Sequence, residues 1–395
     1  MNKAVDHGAS KGSKGSAGEA AKLFLKLGTI AFGGPAAHIA IMRDEVVVRR
    51  RWVSEERFLD LLGAANLIPG PSSTELAIYL GYERAGWVGL VLSGVCFIFP
   101  AMVMVLAFAW AYVLYGATPN ANWLLHGIKP VIVVIIIQAL WGLFRTAVKG
   151  PLLAAAAIAV LSLYLAGFNP IALLFGIGAL VTLIKNGSQL RRQRDRAGAG
   201  LPLIAGLGAS AGFSAGITHA PFSLASLFMT FLKLGSVVFG SGYVLLAFLR
   251  DDFVHRLGWL SDQQILDAVA VGQFTPGPVF TTATFIGYIV GGLPGAILAT
   301  VGIFLPSFLF VAAVFPVVEL LRRSRWASGF LDGVNVGALG LMAGVTWQLG
   351  RAALIDGFAM AVAVLALALV LRFKINSAWL VLGGAVLGSA YHLLA

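Results

Sequence analysis

Charged side chains that stand in apolar sequence recur at matched places in this chain. Lys26 and Lys233 each lie seven residues before a glycine, Gly33 and Gly240, and Arg43-Asp44 and Arg250-Asp251 follow those glycines. Glu75 follows Pro69-Gly70-Pro71, with Thr282 at the corresponding place in the second copy. An ionisable group costs free energy in an apolar segment, so each is first read as functional. The cations suit the attraction of an anion, and the unmatched Glu75 suits proton coupling. Each also has a plain structural reading: a lysine reaching the headgroups with its long stem, an Arg-Asp pair bracing a loop, a carboxyl making a structural hydrogen bond.

The same stretches break the helix. Gly33-Gly34-Pro35 and Gly240-Ser241-Gly242 form one duplicated break, and Pro69-Gly70-Pro71 and Pro276-Gly277-Pro278 form the other. In lipid a freed backbone group costs several kcal/mol, so broken backbone survives only inside protein or beside a wet cavity. A helix restarting after such a break turns unpaired amides and its positive dipole end toward a site that suits an anion. Ser72, Ser73 and Thr74, like Thr281 and Thr282, add hydroxyls at those helix starts. The expectation is a shared polar chamber at mid-depth, lined by these residues. His38 lies next to the first break, as part of the site or as an amphipathic interface residue. Asp60 and Asp267 read as helix-start charges, and Trp52 and Trp259 as headgroup-level anchors.

A bilayer must hold these elements. Hydrophobic residues make up 59% of the chain and charged residues 11%, with a mean hydropathy of +0.89, outside the range of soluble domains. Apolar runs with glycine and without alternation favour helices over a barrel, and about ten to twelve segments are long enough to count. The predicted fold is an all-α polytopic membrane protein with broken or re-entrant helices. The net charge of +11 gathers in short loops such as 49–51, 191–196 and 322–325, the pattern of cytoplasmic membrane loops, so no nucleic-acid partner is expected. Cys96 is the single cysteine and the six histidines form no ligand motif, so neither metal site nor cofactor is expected. No nucleophile, base and orienting group assemble in the sequence, so an enzyme is not expected.

Sliding the chain by 207 positions lays "FLKLGTIAFGGP" over "FLKLGSVVFGSG", and about 18 of the 48 positions from there to the second proline motif are identical. The chain is a duplication, the plan of many secondary transporters. Residues 1–20 read as a mobile polar tail, 21–190 as the N-terminal repeat, 191–221 as a basic and Gly-rich linker and 222–395 as the C-terminal repeat. Placing basic loops on one side puts 43–57 inside and the acidic 250–262 loop outside, which predicts an inverted repeat. Repeats with abundant glycine would also permit a homodimer.

The motifs "FGGPAAH", "RDE", "RRRW" and "IPGPSSTELAIYLGYERAGWVG", repeated as "FGSGY", "RDD", "GW", "TPGP" and "GLPGA", resemble the chromate ion transporter family in its long, two-domain form. The resemblance covers most of residues 22–320. It implies a multi-pass permease of the bacterial inner membrane that exports chromate, with sulfate as a competing oxyanion, and confers chromate resistance. The family's signature would fall on Phe32, Gly33, Gly34, Pro35, His38, Arg43, Pro69, Gly70 and Pro71, and on Phe239, Gly240, Gly242, Pro276, Gly277 and Pro278. Ser241 interrupts the second Gly-Gly pair and Leu245 stands opposite His38, departures from two-fold equivalence.

Overall fold

The computed structural model describes residues 16–32, 34–116, 118–194, 221–239, 244–315, 324–373, 375 and 377–394. Gly33, Gly240, Ser241, Gly242, most of the polar tail and most of the linker lie outside the described residues. Among the described residues there are fourteen α-helices and no strand. Five helical stretches are at least 18 residues long and apolar enough to cross a bilayer, and four further apolar helices run 10–17 residues.

Each repeat begins with two hairpins that return to the face they entered. In the first, α1 (Ala17–Ile30) stops at Ala31, and the chain resumes as α2 (Gly34–Arg43), continuing as a π-helix over Asp44–Arg49. Lys26 Nζ meets Glu45 Oε1 at 3.1 Å, and Glu19 near the start of α1 takes Arg50 at 3.4 Å and Arg84 at 2.7 Å. Contacts of this kind require α2 and its π-turn to run back along α1. Next, α3 (Glu55–Ala65) leads to Pro69-Gly70-Pro71 and α4 (Ser72–Tyr115). Arg57 pairs with Glu83, so the start of α3 and position 83 share the face that holds Glu19.

The chain then turns within α4. Ala85 and Gly86 leave helical geometry, Gly86 at φ 61° and ψ −147°, a region open in practice only to glycine. Gly81 packs on Gly89, and Gly94 on Ile78. Arms of 72–84 and 87–115 therefore lie antiparallel, the first about 20 Å long and the second about 43 Å. Only the second arm is long enough to cross. From there α5 (Pro119–Ala147), α6 (Pro151–Leu165) and α7 (Pro170–Arg194) complete the repeat.

The second repeat repeats this plan. It comprises α8 (Leu224–Val237), α9 (Leu245–Leu249) with a π-turn over Arg250–Arg256, α10 (Asp262–Phe274) and α11 (Thr282–Val314). In α11 the reversal falls at Gly291 and Gly292, closed by Gly287 on Gly295 and by a 2.7 Å hydrogen bond between Thr284 and Thr300. Then come α12 (Arg325–Ala353), α13 (Gly357–Phe373) and α14 (Ser377–Leu394). Serine caps recur 207 residues apart: Ser16 and Ser223 accept from Gly18 and Ser226, and Ser54 and Ser261 accept from Arg57 and Gln264. Each supplies a side-chain oxygen to an orphan amide of the first turn.

The two repeats run in opposite directions. Along the crossing arms, Trp87 and Leu90 share one pocket with Ala312 and Phe315, while Gly94 faces Phe308. As one number rises the other falls, so the arms are antiparallel. The reversal at Gly86 therefore lies at one face and that at Gly292 at the other, where Gly291 packs on Phe222 and Leu224.

Candidate functional site

The hairpin tips of the two repeats meet. Gly70 N donates to Val238 O at 2.8 Å and Gly277 N donates to Ala31 O at 3.0 Å. Gly70 and Gly277 are equivalent by the 207-residue shift, and so are Ala31 and Val238. Each Pro-Gly-Pro thus satisfies the last carbonyl region of the other repeat's first helix. These glycine amides are engaged across the repeats. They are therefore not the free amides that the sequence-based picture of a polar chamber expected.

The two junctions differ in chemistry. Around Gly70 gather His38, Ser73, Glu75 and, from α11, Ser307, all buried. Their repeat counterparts are Leu245, Phe280, Thr282 and Ala101, the last by a 206-residue offset, and Ala101 abuts Gly277 as Ser307 abuts Gly70. The Gly70 junction is the more polar of the two, since only it holds a carboxyl.

His38 links the two junctions, because the carbonyl it meets, Ala31 O, is also the acceptor of Gly277 N. It is 1% exposed, so it is not an amphipathic interface residue. Its Nε2 lies 3.0 Å from Ala31 O and its Nδ1 3.2 Å from Ser73 Oγ. A carbonyl only accepts, so Nε2 carries a proton, and in the neutral ring Nδ1 then accepts from the serine hydroxyl. Glu75 is 0% exposed. Its Oε1 accepts from Ser307 Oγ at 3.4 Å, and its Oε2 has no protein hydrogen-bond partner. A carboxyl that is fully buried with one free oxygen is a strong driver of protonation or of ligand exchange. Thr74 Oγ1 is also buried without a partner. Thr281 and Thr282, by contrast, spend their hydroxyl protons on Pro278 O at 2.8 Å and Val279 O at 2.7 Å.

The duplicated cations lie nearer the faces, in matching ion-pair clusters. Lys26 pairs with Glu45, and Lys233 with Asp252 at 2.5 Å; the lysines remain 51% and 36% exposed. Arg43 holds Glu55 at 2.7 Å and Arg250 holds Asp262 at 2.6 Å. Arg49 reaches Glu45 as Arg256 reaches Asp252. In this conformation all four predicted cations brace π-turns and loops. Pro35 opens the returning helix α2 and Gly34, at φ 76°, makes the break before it. Trp52 carries the guanidinium groups of Arg84 and Arg50 at 4.9 and 5.6 Å, and Trp259 packs on Phe222 and Phe253, so both tryptophans hold loop structure together.

Sequence reading missed two groups. Asp267 is no helix-start charge: it lies more than a turn inside α10, buried, accepting from Tyr112 Oη at 2.9 Å with Lys129 Nζ at 3.5 Å. Near the same face His126 joins His392 at 2.9 Å and Asp356 at 2.8 Å. Their partners are more than a hundred residues apart in sequence, and no local spacing signals them.

The family model described as "Chromate transporter" matches residues 18–183 and again 225–389. A probable chromate transport protein of Synechococcus elongatus is 36% identical over 346 residues, 84% of each chain. A chromate transport protein of Cupriavidus metallidurans is 35% identical over 376 residues, 94% of this chain and 92% of its own. One from Pseudomonas aeruginosa is 32% identical over 335 residues, 83% of this chain and 80% of its own. No solved structure matches. A match to one family model in both repeats, together with relatives aligned along nearly their full length, places this multi-pass helical chain in the chromate transporter family.

Proposed function

We propose that this protein is a secondary transporter, not an enzyme, that moves chromate outward across the bacterial inner membrane and so confers chromate resistance. The carrying observation is the reciprocal pair of tip bonds, Gly70 to Val238 and Gly277 to Ala31, beside the buried Glu75. Opening toward either face requires the tips of two opposed repeats to part, which is alternating access by rocking. Chromate and sulfate are tetrahedral dianions that accept hydrogen bonds on every side. The backbone amides of Gly33 and Gly34 and of Gly240, Ser241 and Gly242, with the hydroxyls of Ser72, Ser73 and Thr74, would hold either one as the tips separate, Pro35 shaping the break without a donor of its own. Lys26, Arg43 and Lys233 stand exposed toward the two faces, where a cation raises the local anion concentration, and Arg250, 11% exposed, braces its loop.

An inside-negative potential favours outward movement of a dianion by about 4.6 kcal/mol per 100 mV, so export needs no nucleotide. Glu75 would add coupling by taking a proton when the polar junction opens. The test is flux of labelled chromate and sulfate in proteoliposomes under imposed voltage and pH gradients. Glu75→Gln is expected to keep voltage-driven flux and lose its pH dependence. Lys26→Gln and Lys233→Gln are expected to weaken apparent affinity by severalfold. Flux of sulfate with exclusion of chromate would make this a sulfate permease, and pH-dependent flux in Glu75→Gln would remove the coupling role.

A further inference from the structure

We propose that Lys129 is an oxyanion-binding cation and that Asp267 is the internal anion occupying it when substrate is absent. This rests on the oxyanion-transport reading above and adds a site between the repeats, with Lys129 and Tyr112 from the first and Asp267 from the second. Lys129 is 13% exposed and Asp267 2%, an ion pair largely withdrawn from water. Their separation of 3.5 Å exceeds the 2.7–2.9 Å usual for a charge-assisted hydrogen bond. Asp267 Oδ1, the oxygen facing the lysine, has no hydrogen-bond partner among the described residues, whereas Tyr112 Oη holds Oδ2 at 2.9 Å. The carboxylate is therefore pinned by α4 and only loosely engaged by α5.

A second polar cluster lies about one helical turn away. Lys129 is three residues from His126, whose Nε2 reaches Asp356 at the turn between α12 and α13. Pro130, next in the chain, sits inside α5, where its ring displaces the carbonyl four residues back and loosens that turn. An arriving dianion carries twice the charge of Asp267 and attracts the ammonium about twice as strongly at equal distance. Chloride, with one charge, lacks that advantage, so the internal carboxylate would select for dianions.

Equilibrium binding of labelled chromate and sulfate to the purified full-length protein, without gradients, tests this. Asp267→Asn is expected to tighten binding of both dianions by roughly tenfold and to make chloride a better competitor, while Lys129→Gln weakens binding by at least about tenfold. Equal weakening in both variants, or parent-like binding in the charge-swapped Lys129→Asp/Asp267→Lys protein, would show a structural brace and overturn the proposal. A second readout uses the unaltered protein: sulfate must move a carboxylate band in the infrared difference spectrum as the pair opens, and a flat carboxylate region also overturns it. A parent that binds neither oxyanion defeats the transport reading itself, whereas a parent that binds with the wrong variant pattern defeats only this inference.

Discussion

At the scale of single residues, the polar junction is held by groups whose removal has unequal consequences. Gly70 has φ 136°, and a Cβ there would strike the Glu75 carboxyl and lie 2.6 Å from Ser307 Oγ. Gly86 has φ 61° but nothing within 4 Å of such a Cβ. Alanine at either position meets backbone strain of about 1–3 kcal/mol, and only at Gly70 does it also displace the carboxyl. Gly70→Ala is therefore expected to abolish transport, while Gly86→Ala lowers the melting temperature and leaves transport measurable in the folded fraction. Equal transport in the two variants would detach the junction from function. Glu75 and Pro69-Gly70-Pro71 were legible in sequence because a carboxylate and a broken helix are both expensive in lipid. The pairing of Lys26 with Glu45 and Arg43 with Glu55 was not: the break at Gly33-Gly34-Pro35 was readable, but not which side chains the returning chain sets face to face.

At the scale of elements, the reversals in α4 and α11 depend on bare backbone contact. A Cβ on Gly81 or Gly89 would collide with the other's carbonyl oxygen, and Gly287 and Gly295 do the same in α11. Gly89→Val is expected to cost at least about 1–3 kcal/mol by overpacking, read as a lower melting temperature in detergent. Gly142→Ala in α5, where a Cβ meets nothing within 4 Å, should melt like the parent. The turn between α12 and α13 carries a smaller prediction. Asp356 Oδ1 accepts from Ala359 N at 2.7 Å, and that amide, aided by His126, holds the carboxyl below its usual range. Asp356→Ala should lose about 1 kcal/mol of capping. Because the folded-state value is depressed, that margin is present at neutral pH and fades as pH falls below about 4. The breaks at prolines and glycines were readable, and the reversal at Ala85-Gly86 was legible as a charged boundary, Glu83-Arg84, ahead of the apolar run from Trp87, though its geometry was not. Its cause is the Gly81 to Gly89 contact, a tertiary fact.

At the scale of the whole molecule, direction is the property that function needs. A duplicated pair of same-sided hairpins would make one vestibule, but opposed hairpins whose tips touch can expose a central anion to either side in turn. Charge placement predicts such an opposition, because basic loops on one side put matched segments on opposite faces. Contacts between the crossing arms carry it independently: Leu90 shares a pocket with Ala312 and Gly94 meets Phe308. Arg49 and Arg256 are equivalent by the 207-residue shift and both exposed, so they test direction with matched chemistry. In a Cys96→Ala background, Arg49→Cys and Arg256→Cys each place one thiol at the end of a π-turn. An impermeant maleimide added to intact cells is expected to label Arg256→Cys and to spare Arg49→Cys until the membrane is opened. Labelling of both from outside would make the repeats parallel in the membrane. The tips would then enter from one side, and the exchange of bonds between Gly70 and Gly277 could no longer serve as a gate with two faces.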